Sequence, residues 1–478
     1  MAVLWVRKFL ILTHRYLGIV LSLFFVVWFV SGIGMMYTGG MPSLTPKARL
    51  ERLAPIDFNA IKLAPSEQGE SVTLLTVMGR PAYRIDGQTI FADNGETLDE
   101  VDQQKALRMA SEYMQVPQDK LRYLELLNQA DQWTIEQRGQ LPLHKIAIDD
   151  ANQTQIYISP VDGDVALITT RRSRALAWVA AIPHWLYFRS LRVKDGAWRA
   201  LVIGASGMGC ILAVIGLLVG IVQFRRSSPH IPYARWMRWH YLTGAFFGVV
   251  TFTWVFSGML SMEPYDVFAH NGLSLAGDPF AARLNMATFP PFDVGAMNRL
   301  LNGREVKEIE FTRMQDEPYY VVRTVPEHLI VDARTFQIRR EAFSKESLEQ
   351  RIASVTPNEV PIVESQMLTD YDSYYYSRGR EAPLPVLRVK FGDPDQTWLY
   401  VDPQMSRIVT GMARINRIER WIYTGFHDLD FSFWFYRRPL WDIGVIALSL
   451  GGLTSSLIGL CVGFKRLFRG IRRIVSQP

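Results

Sequence analysis

Four stretches of about twenty or more almost uncharged residues constrain this chain more than any other feature. The hydrocarbon core of a membrane, about 30 Å thick, is crossed by roughly 20 apolar residues in a helix. Four such stretches are difficult to bury in one soluble protein, so the sequence predicts an integral membrane protein. The mean hydropathy of +0.04 conceals them because it also averages over charged segments. The stretches are residues 19–37, 201–224, 242–262 and 440–464.

Basic residues flank these stretches in three clusters, and they predict the orientation of the chain. Cytoplasmic loops carry an excess of Lys and Arg, so we expect both termini and the short loop between the second and third helices to face the cytoplasm. The sequence pI near 9.2 then reflects topology, and nucleic-acid binding is not expected. The clusters are Arg7, Lys8 and Arg15; Arg225, Arg226, Arg235 and Arg238; and Lys465, Arg466, Arg469, Arg472 and Arg473.

The two long polar segments must then lie on the opposite face, which is the periplasm if the cell is Gram-negative. They alternate short strand-like runs with turns, as small α+β domains do. Both cysteines, Cys210 and Cys461, fall in apolar stretches, so no disulfides are expected in the polar segments. The predicted division is helix 1 at 1–39, a periplasmic region at 40–175, an interfacial segment with helix 2 at 176–226, a cytoplasmic loop at 227–237, helix 3 at 238–263, a periplasmic region at 264–418, an interfacial segment with helix 4 at 419–466, and a cytoplasmic tail at 467–478.

A histidine-bearing pattern occurs twice along the chain. His14 and His240 are each followed by Gly after four residues, by Trp after fourteen, and by Ser-Gly after seventeen. A second pair, His184 and His427, shares a tryptophan six residues before the histidine and an apolar helix after it. Each half therefore has two helices, and an even number predicts two parallel repeats related by an axis along the membrane normal.

Parallel repeats place equivalent residues at equal depth, and this predicts which histidines meet. The seventeen residues from His14 to Ser31 extend roughly 25 Å as a helix, so His14 and His184 should lie near opposite faces. We expect His14 to pair with His240, and His184 with His427. Such pairs suit bis-histidine haem, and the lack of a C-x-x-C-H motif excludes covalent haem c. The sequence thus predicts two haem b groups with these four histidines as axial iron ligands.

Other interpretations of the histidines stay open. A lone histidine at a membrane interface is ordinarily a polar residue without a binding role. A zinc site would need further ligands beside each pair. Nearby arginines and a lysine would either bind haem propionates or anchor the interface. These are Arg189, Arg192, Lys194, Arg437 and Arg438. Residues that would line the haem slot or simply pack the core are Trp28, Trp254, Ser31 and Ser257. The remaining histidines, expected to be local or surface residues, are His144, His230, His270 and His328.

The polar segments contain a recurring unit of two strands, the second ending in Tyr-x-Asp/Ser-Pro. It occurs at residues 141–148 with 155–160, and at 384–391 with 398–403. This unit resembles the PepSY domain. PepSY units placed between histidine-bearing helices resemble the PepSY-associated transmembrane family over nearly the whole chain. Members of that family include bacterial inner-membrane ferric-siderophore reductases of the FoxB type, which carry haem b.

The resemblance implies an oxidoreductase of the bacterial inner membrane that reduces a ferric siderophore in the periplasm and releases Fe(II). Electrons would come from a cytoplasmic flavoprotein or quinol, since no nucleotide-binding loop is visible. Aromatic and basic residues would hold the chelate or pack a sheet: Tyr374, Tyr375, Tyr376, Arg378, Trp434 and Tyr436. Alternatives are an electron carrier for another periplasmic acceptor, or a non-enzymatic PepSY protein that regulates a protease or senses the envelope. The sequence identifies no catalytic residue.

Overall fold

The chain forms two compact units in a computed structural model. The helical unit consists of Met1–Met41, Ala175–His270 and Arg414–Pro478, and the sheet unit of Pro42–Arg174 and Asn271–Ala413. The structure describes residues 2–65, 69–224, 231, 233–264, 272–275, 277–280, 284–325, 327–378 and 382–475. Several residues named above lie outside these ranges: Arg225, Arg226, His230 and His270, together with 227–229 and 232 of the predicted cytoplasmic loop.

The helices differ widely in length, and four of them are long. They are α1 (Ala2–Thr38), α2 (Pro46–Arg52), α3 (Gln103–Met114), α4 (Arg171–Val179), α5 (Ala181–Trp185), α6 (Arg189–Arg192), α7 (Asp195–Gln223), α8 (Arg235–Leu260), α9 (Val294–Leu300), α10 (Lys345–Val355), α11 (Arg414–Arg420), α12 (Ser432–Phe435) and α13 (Leu440–Val475).

The strands all belong to the sheet unit. They are β1 (Val72–Val77), β2 (Arg80–Ile85), β3 (Gln88–Phe91), β4 (Leu121–Leu127), β5 (Leu143–Ile148), β6 (Gln155–Ile158), β7 (Val165–Thr169), β8 (Val306–Met314), β9 (Glu317–Thr324), β10 (His328–Asp332), β11 (Ile338–Arg339), β12 (Ile362–Leu368), β13 (Val386–Phe391), β14 (Trp398–Asp402) and β15 (Arg407–Met412).

Helices α1, α7, α8 and α13 are each long and apolar enough to cross a membrane, as the four stretches predict. Helix α1 extends from Ala2 to Thr38, well before the apolar stretch at 19–37, and residues 2–13 contain neither Gly nor Pro to interrupt it. His14 therefore lies inside the helix. Helix α13 likewise continues to Val475, into the predicted tail.

The four long helices pack in a ring, since α1 and α8 each contact both α7 and α13. Their shared core includes Leu21, Phe25 and Phe29 of α1. Small residues let the aromatic side chains of α1 lie close to the backbones of neighbouring helices, as is usual between membrane helices. At Gly452 of α13, an added Cβ would lie 2.2 Å from Phe29 Cζ, so only glycine fits there.

The sheet unit contains two similar four-stranded antiparallel sheets, each preceded by a helix. Helix α3 precedes the sheet β4-β5-β6-β7, and α10 precedes β12-β13-β14-β15. The strand pairs predicted from the sequence are confirmed as β5–β6 and β13–β14, with Ile146 opposite Ile156 and Val389 opposite Leu399. Each helix packs apolar side chains against its sheet.

A third sheet joins strands from both polar segments, which the sequence analysis treated separately. Its seven strands run in the order β11-β10-β9-β8-β1-β2-β3, and β1 of the first segment pairs with β8 of the second. Successive side chains of a strand face opposite sides, so Leu74 and Leu75 enter different hydrophobic cores. Strand β1 is apolar on both faces because both faces are covered.

Arg49 adds a polar link beside this junction. Its Nη1 lies 2.7 Å from Glu308 Oε1 on β8, and its Nε lies 3.1 Å from Asp164 Oδ1 in the first segment. The Glu308 side chain is only 8% exposed, and its next cation, Arg323, is 4.0 Å away. Arg49 is therefore the principal counterion of a buried carboxylate.

We expect Arg49→Met to destabilise the sheet unit by about 2 kcal/mol, because removing one partner leaves Glu308 buried without full compensation. Arg334→Met is the matched control, since Arg334 pairs with Glu317 at the surface and such pairs contribute at most about 1 kcal/mol. Thermal unfolding of the full chain in detergent, followed by circular dichroism of the sheets, measures both. Equal midpoints for the two variants would contradict the assignment.

Candidate metal centres

His14 of α1 and His240 of α8 face each other within the helical unit. Their ring centroids are 6.2 Å apart, and the ring planes are inclined by 38°. The Nδ1 of His14 lies 3.2 Å from the Leu212 carbonyl oxygen, and the Nδ1 of His240 lies 3.2 Å from the Ser455 carbonyl oxygen. A carbonyl only accepts hydrogen bonds, so each Nδ1 carries the hydrogen and each Nε2 keeps its lone pair.

His184 of α5 and His427 form a second facing pair. Their centroids are 6.1 Å apart, with the planes inclined by 63°. The Nδ1 of His184 lies 3.1 Å from Ser31 Oγ, and that of His427 lies 3.1 Å from Ser257 Oγ. The Trp254 carbonyl, 3.2 Å from the His427 Nδ1, fixes that hydrogen on Nδ1 too.

The structure brings together the two pairs predicted from the sequence, and the separation of their ring centroids can be compared with that of two imidazoles on one metal ion. With a metal–nitrogen bond of about 2.0 Å and a ring centre about 1.15 Å behind the nitrogen, two opposed imidazoles have centroids roughly 6.3 Å apart. The observed separations of 6.2 and 6.1 Å are close to this value. Each pair would supply two imidazole nitrogens to a metal ion, and its other ligands would have to come from elsewhere.

His184 of the second pair is uncharged at neutral pH, as metal ligation requires. Burial lowers the pKa of His184 to about 4, and the neighbouring His427 ring lowers it further in the same direction. Since only the neutral imidazole has a free ring lone pair, His184 is held in its ligating form.

Each of the four histidine rings lies against a glycine of a long helix. A Cβ added at any of these glycines would come within 2.7 to 3.4 Å of the ring Cε1. Two of these glycines belong to the repeated Ser-Gly landmarks, whereas the two on α7 and α13 were not predicted from the sequence. Each of those lies thirty-two residues after the second histidine of its own half, a spacing that could have identified it. The pairs are Gly216 with His14, Gly459 with His240, Gly32 with His184, and Gly258 with His427.

Two tryptophans hold the segments that carry the second pair, and sequence analysis missed them as well. Trp198 of α7 donates from Nε1 to the Trp185 carbonyl at 2.8 Å. Trp441 of α13 donates from Nε1 to the Asp428 carbonyl at 3.2 Å. Each carbonyl belongs to the residue directly after a histidine, and each tryptophan comes fourteen residues after it. These bonds pin both histidine segments to the helices that follow them.

Two of the arginines proposed for haem propionates have partners in the chain itself. Arg192 pairs with Asp195 and lies 4.2 Å over the Trp198 ring. Arg438 pairs with Asp442 and lies 4.1 Å over the ring of Trp441. These contacts match the alternative interpretation, in which the arginines anchor their own segments.

His144, His328 and the three predicted tyrosines Tyr374, Tyr375 and Tyr376 lie in the sheet unit. His144 is buried, with Nε2 2.6 Å from the Val101 carbonyl and Nδ1 3.0 Å from Tyr123 Oη, which indicates a structural role. Tyr375 stacks on Tyr400 at 4.9 Å, so it packs the sheet. Across the described part of the chain, no group of three or more His, Cys, Asp or Glu side chains is placed to hold a metal ion.

With the four apolar helices and the sheets in place, the class of protein is defined as a membrane protein with PepSY-type domains. The family described as the PepSY-associated TM region matches residues 11–308, and the chain belongs to this family. The match includes His14, His184 and His240, whereas His427 lies beyond it. A search of curated proteins finds none that matches the chain.

If the pairs hold cofactors, we expect Gly216→Ala to disturb the first pair, because its Cβ would lie 2.7 Å from His14 Cε1. Displaced ligands typically weaken metal binding about 10- to 100-fold. Gly204→Ala on the same helix is the control, since a Cβ there meets nothing within 4 Å. Cofactor content and absorption spectra of the two purified variants measure the effect. A Gly216→Ala spectrum identical to that of Gly204→Ala would count against the contact.

Proposed function

We propose that this protein is a membrane oxidoreductase that binds two haem b groups, one between His14 and His240 and one between His184 and His427. The observation that carries the proposal is the spacing of the paired rings, 6.2 and 6.1 Å between centroids, with Nδ1 committed to hydrogen bonds. The metal-facing nitrogen is then Nε2 in each case. Hydrogen bonds of this kind, made by the ring nitrogen that does not bind the metal, fix the orientation and tautomer of a ligating histidine.

The donor set favours haem over a bare metal ion. Zinc takes four protein ligands, or three with an open position, and each pair supplies only two. A haem would need only two protein ligands for its iron, and each histidine pair would supply them. When bound, haem supplies a one-electron Fe(III)/Fe(II) couple.

The chain's own residues would bind and orient the cofactors. The histidines would supply the nitrogens that bind the iron, and the glycines beside their rings let α7 and α13 approach closely. The apolar helix faces keep water away from the sites. The Trp254 indole N–H is buried and has no hydrogen-bond partner among the described residues, so it is available to a polar group of a bound cofactor. Trp28, by contrast, packs against Phe24 and Phe25, as a core residue does.

The proposed direction of electron flow follows from topology. We infer two parallel repeats, supported by the matching histidine contacts in the two halves. The basic clusters favour an inner-membrane protein with both termini inside, the first histidine pair near the cytoplasm and the sheet unit in the periplasm. A cytoplasmic flavoprotein or quinol would supply electrons, which would leave from the second pair.

The proposed acceptor is a ferric siderophore, on the basis of the family resemblance. Transfer of one electron reduces the bound Fe(III) to Fe(II). Because Fe(II) binds hard oxygen donors more weakly, the chelate then releases its iron. A transmembrane electron carrier for another periplasmic acceptor would use the same two sites, so only the acceptor distinguishes the two functions.

We expect the purified protein to contain close to two noncovalent haems per chain, extractable with acid acetone and quantified as the pyridine haemochrome. His14→Ala and His240→Ala should remove the same haem, because a haem that loses either axial ligand is weakened. His184→Ala and His427→Ala should together affect the other. The control is His328→Ala, which changes an exposed histidine of the sheet unit.

Grouping of His14→Ala with His184→Ala would contradict the pairing. A folded but colourless protein, obtained with abundant haem in the culture, would instead support the non-enzymatic PepSY alternative.

We expect the dithionite-reduced protein to be reoxidised by a ferric hydroxamate chelate under anaerobic conditions, with Fe(II) trapped by ferrozine in step with haem oxidation. His184→Ala should slow this reaction at least about tenfold, because it weakens the haem nearest the acceptor side. Gly204→Ala, whose added Cβ meets nothing within 4 Å, should leave the rate unchanged. If haem stays reduced with every siderophore class but is oxidised by another acceptor, the protein is an electron carrier for that acceptor.

A further inference from the structure

An open cleft of about 430 Å³ lies in the sheet unit, beside the short edge strand β11. This volume is in the range of small-molecule sites. Its walls come from β10, β11 and the turn after β14, so one rigid sheet positions most of the lining. The lining includes Arg304, His328, Arg339, Arg340 and Gln404, together with Ile338.

Basic groups dominate the polar lining. Three guanidinium groups face a single lining carboxylate, that of Glu327, which Arg304 already engages at 3.0 Å. Arg340 is exposed, and no carboxylate among the described residues forms an ion pair with it. The cleft therefore keeps a net positive charge that is available to a ligand.

Arg339 is the most unusual group in the cleft. Its guanidinium lies 3.4 Å over the Phe343 ring, and its Nη1 is buried with no hydrogen-bond partner in the described ranges. Burial lowers the pKa of Arg339, with Tyr319 and Glu341 opposing the shift, but a guanidinium stays charged in proteins. A buried donor without a partner is destabilising, and a ligand oxygen would satisfy it.

We propose that this cleft binds a small organic acid, with its oxyanion group on the Arg339 and Arg340 guanidinium groups. The planar fork of arginine matches the two oxygens of a carboxylate or the oxygens of a phosphate group. Leu329, Ile330 and Ile338 supply apolar surface for the carbon body of the ligand. The site is separate from the histidine pairs, and no part of this proposal depends on haem.

The test is isothermal titration of the full-length protein in detergent with citrate, with inorganic phosphate and with the uncharged triethyl ester of citrate. The wild type should bind citrate, more weakly as salt is raised, and should not bind the ester. Arg340→Gln should weaken citrate binding about tenfold, because it removes one charge-assisted contact. Arg339→Lys should weaken it similarly, since lysine keeps the charge but loses the fork.

Arg334→Gln is the matched control, because it removes a surface guanidinium of the same sheet outside the cleft lining. It should bind citrate as the wild type does. Binding of phosphate alone would keep the oxyanion site and assign it to phosphate-bearing ligands. Absence of binding of both anions, or unchanged citrate binding in Arg339→Lys and Arg340→Gln, would overturn the proposal. Both results are independent of haem content, so they leave the oxidoreductase proposal untouched.

Discussion

The hydrogen bonds from the histidine Nδ1 atoms are the interaction on which the helical unit depends. An imidazole inside an apolar bundle is costly unless both ring nitrogens have partners. Here His14 and His240 use the backbone carbonyls of Leu212 and Ser455, which lie on the adjacent helices. These bonds link each histidine-bearing helix to the helix beside it. They leave Nε2 as the ring nitrogen that can bind a metal. The proposed haem iron would satisfy that remaining nitrogen.

The second histidine pair is held in place by side chains of the long helices, not by backbone carbonyls alone. Short segments carry His184 and His427, and such segments have little rigidity of their own. The Trp198 and Trp441 indoles bind the carbonyl next to each histidine, while Ser31 and Ser257 hold the rings. The two rings face each other only when both segments stay in place, so these four side chains supply the rigidity that the short segments lack.

In the sheet unit, the two polar segments each form a four-stranded sheet and together form the seven-stranded sheet. Pairing of β1 with β8 requires strands from both polar segments, and the Arg49 contacts with Glu308 and Asp164 support that junction. Neither segment can complete the seven-stranded sheet alone. The same sheet ends at β11, whose edge position leaves Arg339 beside an open cleft.

Local patterns determined much of this protein from the sequence alone. Runs of apolar residues predicted the four long helices. Strand-like runs separated by turns predicted the pairs β5–β6 and β13–β14. The repeated histidine pattern predicted which histidines lie together. Only the tertiary structure shows the contacts between residues that are distant along the chain. No local pattern shows that Leu212 and Ser455 carbonyls meet histidines about two hundred residues away, that β1 pairs with β8, or that Tyr375 packs on Tyr400. Those contacts arise only when packing closes the chain on itself, because hydrogen-bond partners and ring contacts are set by distance in space and not by spacing along the sequence.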